Sequence, residues 1–237
     1  IPSSHSESAR PALPPVGELV RIENIRRDFQ LPGGFSWPVL RRLSPIRSIT
    51  AVNDVSFSIG EGQTFALVGE SGSGKSTLAR IAVGLLRAQS GKVAVAGKTV
   101  GNGDEPARNG ATQMIFQDPY ASLNPRWQVG DIIAEPIRRL GLGHSKSEVD
   151  RQVAELLQRV RLDPDARHRY PHEFSGGQRQ RIAIARELSS RPRFIICDDP
   201  TSALDVSVQA QALDLMASLQ ADFGLTYLLL TLNLAVV

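Results

Sequence analysis

A chain of 237 residues, 41% hydrophobic and 22% charged, has the composition of an ordinary globular protein, long enough for one large domain or two small ones. A net charge of +3 suits an anionic ligand but is too small to argue for nucleic acid, and the single cysteine, Cys197, excludes a disulfide framework and a cysteine metal site. No run reaches the ~18–20 apolar residues of a membrane-spanning helix, since the longest candidate, Leu225 to Val237, is broken by Thr226, Thr231 and Asn233; a membrane role would have to come through a partner.

Residues 1–17, rich in Ser and Pro (Pro2, Pro11, Pro14, Pro15), read as a flexible leader or linker. The chain opens at Ile1 and stops inside an apolar segment, which reads as a fragment of a longer protein. Glu18 to Phe29 mixes Val20, Ile22 and Ile25 with charges, as a half-exposed strand does. Residues 31–48 carry Pro32, Gly33, Gly34, Pro38 and Pro45 and read as a loop insertion, with the stretch from Arg41 to Arg47 solvated rather than a nucleic-acid patch. Ala51 to Ile59 alternates Val52, Val55, Phe57 and Ile59 with polar residues, the period-two signature of a strand.

Thr64 to Val68 predicts a short buried strand, followed at once by a glycine-rich loop and by Leu78, Ile81, Ala82 and Leu85 at helical spacing. Strand, glycine loop, helix is an arrangement for holding phosphate. Ser145 with Glu148 resembles a capping box, and Val149, Val153, Leu156, Leu157 and Val160 mark one helix face, so Asp118 to Ser190 reads as a mainly helical insertion. Phe194 to Cys197 predicts a buried strand with Cys197 as a small core residue, Asp205 to Leu219 a helix, and Leu225 to Leu232 a further strand. Strands alternating with helices imply a mostly parallel sheet. The expected division is a leader at 1–17, a nucleotide-binding core at 18–117 and 191–237, and a helical subdomain at 118–190.

Gly69, Glu70, Ser71, Gly72, Ser73, Gly74, Lys75, Ser76 and Thr77 match G-x-x-x-x-G-K-[ST] in full. Glycines let the backbone curl so that its N–H groups face phosphates, Lys75 reaches the β- and γ-phosphates, and the Ser76 hydroxyl ligates Mg²⁺. The following helix turns its positive end toward the anion. A plain Gly/Ser turn before an ordinary helix is the competing reading, and the strand before and helix after argue against it.

Phe174-Ser175-Gly176-Gly177-Gln178-Arg179-Gln180-Arg181 resembles the signature motif of ATP-binding-cassette proteins. Phe194 to Asp199 resembles their Walker B strand, Gln117 their Q-loop glutamine, and Ser202-Ala203-Leu204-Asp205 their D-loop, all in the family's order from Gly69 to Asp205. The segments Phe116 to Pro125 and Asp199 to Ser207, and the insertion at 31–48, look like those of di- and oligopeptide (and nickel) importer ATPases. The resemblance implies an α/β P-loop NTPase core with a mostly parallel sheet, an antiparallel β edge and a helical subdomain. It implies ATP and Mg²⁺ as cofactors. Implied partners are a second cassette (identical, related or fused), permease subunits and a solute-binding protein, at the cytoplasmic face of the membrane, with no nucleic acid.

By position, the resemblance assigns nucleotide to residues 69–77, metal to Ser76, Gln117 and Asp198, and γ-phosphate sensing to Gln117. It assigns the γ-phosphate on the partner chain to the signature residues Ser175, Gly176, Gly177 and Gln178, and adenine stacking to Phe29, whose plainer reading is a core phenylalanine. Lys75, Gln117 and Asp199 form the catalytic set. Two positions depart from the family. Asp199 stands where a glutamate base is normal, and Leu232 stands where a switch histidine is normal. Aspartate falls roughly 1 Å short, which costs on the order of 10²-fold in rate. Leucine offers no donor. Both losses fall in the site on this chain's own phosphate loop, whereas the signature serves the opposite site. That implies an asymmetric pair, with an Asp199 that still works in altered geometry as the alternative. Two rivals stand beside a transporter energy module: a non-catalytic regulatory cassette, and a soluble cassette ATPase of DNA repair or translation. Against the last, the segment between Gln117 and Ser175 is short and has no cysteine pair.

Overall fold

The computed structural model describes residues 17–30, 48–100, 110–118, 122–200 and 205–232. The leader before Gly17, nearly all of the 31–48 insertion, D-loop residues 202–204 and the tail after Leu232 lie outside the described residues.

Among the described residues, two four-stranded sheets form the frame. One is antiparallel, in the order β2-β1-β4-β5, from β1 (Glu18–Gln30), β2 (Ser48–Gly60), β4 (Ser90–Val95) and β5 (Lys98–Val100). The other is parallel, in the order β3-β8-β7-β6, from β3 (Thr64–Val68), β6 (Thr112–Ile115), β7 (Phe194–Asp198) and β8 (Thr226–Thr231). The antiparallel strands thus make a sheet of their own. Among the described residues, five helices complete the fold: α1 (Lys75–Ala82), α2 (Val129–Arg139), α3 (Lys146–Arg159), α4 (Gly176–Leu188) and α5 (Val206–Phe223). Two 3-10 turns, Pro164–His168 and Pro171–Glu173, lie between α3 and α4.

The apolar run of β7 is buried on both faces, as a central parallel strand must be. Phe194 and Ile196 join Leu228 and Leu230 of β8 in a core shared with α1 and the antiparallel sheet. Ile195 and Cys197 join Tyr227 and Leu229 in a second core shared with α2, α3, α4 and α5. Burial pushes the Cys197 thiol far above its ordinary range, in keeping with a packing role.

Local signals set the helix ends. Ser145 caps α3, accepting from the Glu148 N–H. Leu85 was expected within α1, but the helix ends at Ala82 and Leu85 is 60% exposed. Gly84 adopts φ 81°, and Gly84 N–H and Leu85 N–H donate to the carbonyls of Ile81 and Arg80. This paired closure with a left-handed glycine stops the helix at Ala82, three residues before Leu85, and overrides the spacing.

Parallel register brings the ends of the central strands level. Val68 pairs Thr231, Asp198 pairs Leu230, and Cys197 pairs Ile115. The segments that leave these ends are the phosphate loop, Asp199, Gln117 and Leu232. Ligands in open α/β sheets bind at this carboxyl edge.

Candidate functional site

Those segments line one cleft of about 210 Å³, walled by Ala51, Ser71, Gly72, Gly74, Lys75, Ser76, Thr77, Gln117, Asp198, Asp199 and Leu232. The loop is built against β2. Gly74 has φ 94°, and a Cβ there would collide with the Ala51 carbonyl oxygen, so only glycine fits. Gly74 is also the N-cap of α1, with no side-chain cap and no acidic residue in the first turn, leaving the helix's first N–H groups for an anion.

The Lys75 ammonium folds back on the loop, donating to the carbonyls of Gly69 at 2.6 Å and Glu70 at 2.8 Å and to Ser73 Oγ at 3.3 Å. Ser76 Oγ donates to Asp198 Oδ1 at 2.9 Å, tying the phosphate loop to the end of β7. Gly69 N–H donates to the Thr231 carbonyl at 3.3 Å, tying it to β8. The structure therefore brings Lys75, Ser76, Gln117, Asp198 and Asp199 together.

Both departures sit at this cleft. Leu232 is 53% exposed and presents hydrocarbon to it. Asp199 has φ 47°, and its N–H donates to the Leu230 carbonyl at 3.0 Å. Aspartate enters this left-handed region more readily than most side chains.

Phe29 does not line the cleft. It is the penultimate residue of β1, opposite Ile49, two residues along β2 from Ala51, and is 38% exposed, so it is not a core phenylalanine. The signature lies elsewhere. Ser175, Gly176, Gly177 and Gln178 open α4 and line no part of this cleft. Ser175 and Gln178 form a reciprocal cap: Gln178 N–H donates to Ser175 Oγ at 3.3 Å, and Ser175 N–H to Gln178 Oε1 at 3.0 Å. Gly177 is demanded by packing, since a Cβ there would lie 2.7 Å from Val208 Cγ1 of α5. Asp205 is the exposed N-cap of α5, its carbonyl accepting from the Val208 and Gln209 N–H groups. Sequence reasoning missed Ala51 and Thr231, which act through backbone oxygens that no side-chain pattern signals.

A phosphate loop closed against Asp198 at the carboxyl edge of a parallel sheet defines a P-loop nucleotide-binding cassette. Residues 52–202 match the family model described as ABC transporter. The chain belongs to that family, and its fold is the ABC ATPase fold. It is 46% identical over 223 residues to the oligopeptide transport ATP-binding protein OppF of Escherichia coli, covering 92% of this chain and 65% of that one. It is 47% identical over 222 residues to the glutathione import ATP-binding protein GsiA of Shigella dysenteriae, covering 92% of this chain and 34% of that one. The chain thus spans about two thirds of the first relative and one third of the second. Among solved structures, the ATP-binding cassette MJ0796, in a dimeric post-hydrolysis state bound to ADP and Pi, superposes with a TM-score of 0.77 at 26% identity, covering 92% of this chain and 90% of that one.

Proposed function

We propose that this chain is the ATP-binding component of a membrane importer of peptides or a related small solute, peripheral to the cytoplasmic face. The observation that carries the reading is the single cleft joining Lys75, Ser76, Gln117 and Asp198. Identity to the OppF and GsiA proteins supports peptide-like cargo. Among the described residues, no helix is long and apolar enough to cross a membrane, so permease subunits would supply the path. A groove of about 400 Å³ that includes Leu85, Phe116, Glu135 and Arg139 adjoins Gln117 and is where a permease segment would seat. A solute-binding protein would deliver cargo. Residues 118–190 act as the helical unit that carries the signature.

Lys75 exchanges its loop carbonyls for β- and γ-phosphate oxygens, and the α1 N-terminus supports the same anion. Ser76 and Asp198 fit Mg²⁺: two hard oxygen donors 2.9 Å apart, with no cluster of three His, Cys, Asp or Glu side chains among the described residues to form an all-protein cage. Gln117 stands on the same lining. The cation supplies charge neutralisation on the phosphate oxygens when bound. Ser175 and Gly177, which do not line this cleft, cap the γ-phosphate held by a second cassette, and that chain's signature caps this one. Closure then follows nucleotide because each triphosphate contacts both chains.

Asp199 orients the attacking water from a short reach, and Leu232 supplies no donor, so the site on this chain's own loop turns over slowly. These two residues also favour a second reading, a cassette that binds ATP without turnover and regulates a competent partner. The first test is calorimetry with MgATP. Wild type binds, and Lys75→Ala loses at least about tenfold in affinity. Equal affinity of the two chains would sink the proposal.

A further inference from the structure

The adenine subsite has a second component. We propose that Arg27 is a positioning residue that backs the Phe29 ring and sets nucleotide affinity through the base; this rests on the reading that Phe29 stacks adenine. Residues two apart on a strand share a face, and the Arg27 guanidinium carbon lies 5.1 Å from the Phe29 ring centroid, within cation–π range. One guanidinium N–H donates to the Arg87 carbonyl at 3.2 Å, in the connection between α1 and β4. The Nε is buried with no hydrogen-bond partner among the described residues, which leaves that bond, the ring and the neighbouring Asp28 charge to hold the group.

Direction follows from topology. β4 flanks β1 on the side opposite β2. Gln89 N–H donates to the Arg26 carbonyl, and Asp28 N–H to Gln89 Oε1, so the α1–β4 connection lies along that flank at residues 26–28. Arg27 therefore approaches Phe29 from the flank away from β2. The phosphate loop lies on the β2 side, against Ala51. Ile49, the partner of Phe29, is two residues from Ala51, about 7 Å along the strand, which suits the reach from the first phosphate across a ribose to a base. The ring is thus clamped from behind while its other side stays available to the nucleotide, and a guanidinium behind it fixes the ring and polarises its π-face. Lysine, a hydrated point charge without a plane, would not substitute fully.

The test compares MgATP with magnesium tripolyphosphate, which lacks the base, by calorimetry on the 237-residue chain. Arg27→Ala weakens ATP by about three- to tenfold and leaves tripolyphosphate within about twofold. Arg27→Met, which keeps the apolar stem, gives the same split and serves if the alanine variant misfolds. Equal weakening of both ligands would show a merely structural role and overturn the proposal. Unchanged ATP affinity in the Arg27 variants, with Phe29→Ala weakened, would overturn it while leaving the Phe29 reading intact. An unchanged Phe29→Ala would remove both.

Discussion

The phosphate-loop end and the signature end of this molecule are built on opposite plans. At the first, four chain segments converge because parallel register levels Val68, Thr231, Asp198 and Ile115 at one sheet edge, and their side chains meet in a cleft. At the second, Ser175 to Gln178 stand at an exposed helix start, satisfied mostly by one another, and line none of that cleft. The first is a nearly complete site with altered chemistry at Asp199 and Leu232. On the proposed reading, the second is half of a site, unaltered in sequence, that is completed by another chain. On that reading, turnover on this chain's own loop can be lost while its signature still completes a neighbour's site.

The largest expected effect sharpens that contrast. Asp199→Glu with Leu232→His restores base reach and a donor, and single-turnover hydrolysis at the Lys75 site rises by at least about 10²-fold. The left-handed backbone at Asp199 costs the glutamate variant about 1 kcal/mol of stability, read as a lowered thermal midpoint. No gain in the hydrolysis rate would mean that the two departures do not limit the site. A smaller effect probes the other end. Gly177→Val forces α4 away from Val208 and costs about 1–3 kcal/mol of stability. It slows hydrolysis on a partner's loop while MgATP affinity at this chain's own loop stays within about twofold. A large loss of that affinity would mean that the two ends are not separate.

Much of this was legible in the sequence, and the reasons differ by region. The β7 run, the phosphate loop and the Ser145 cap are signalled by residues that touch one another locally. Strands β4, β5 and β6 were not anticipated, because segments such as Ser90–Val95 become strands by pairing with β1, more than sixty residues away. Leu85 misled because apolar spacing cannot show that Gly84 closes the helix first. The need for glycine at 177 comes from Val208, on a helix brought alongside only by the fold. Ala51 and Thr231 contribute carbonyl oxygens, which every residue type carries. Arg27 reads as one more strand charge until Arg87 and Phe29 are found beside it.

The most direct measurement pairs this chain with its own Asp199→Glu, Leu232→His variant and follows single-turnover hydrolysis in the mixed dimer. Replacing Lys75 by alanine in the unaltered chain should leave hydrolysis nearly intact, whereas the same replacement in the restored chain should lower it by about 10²-fold or more. Equal losses from the two replacements would contradict the account.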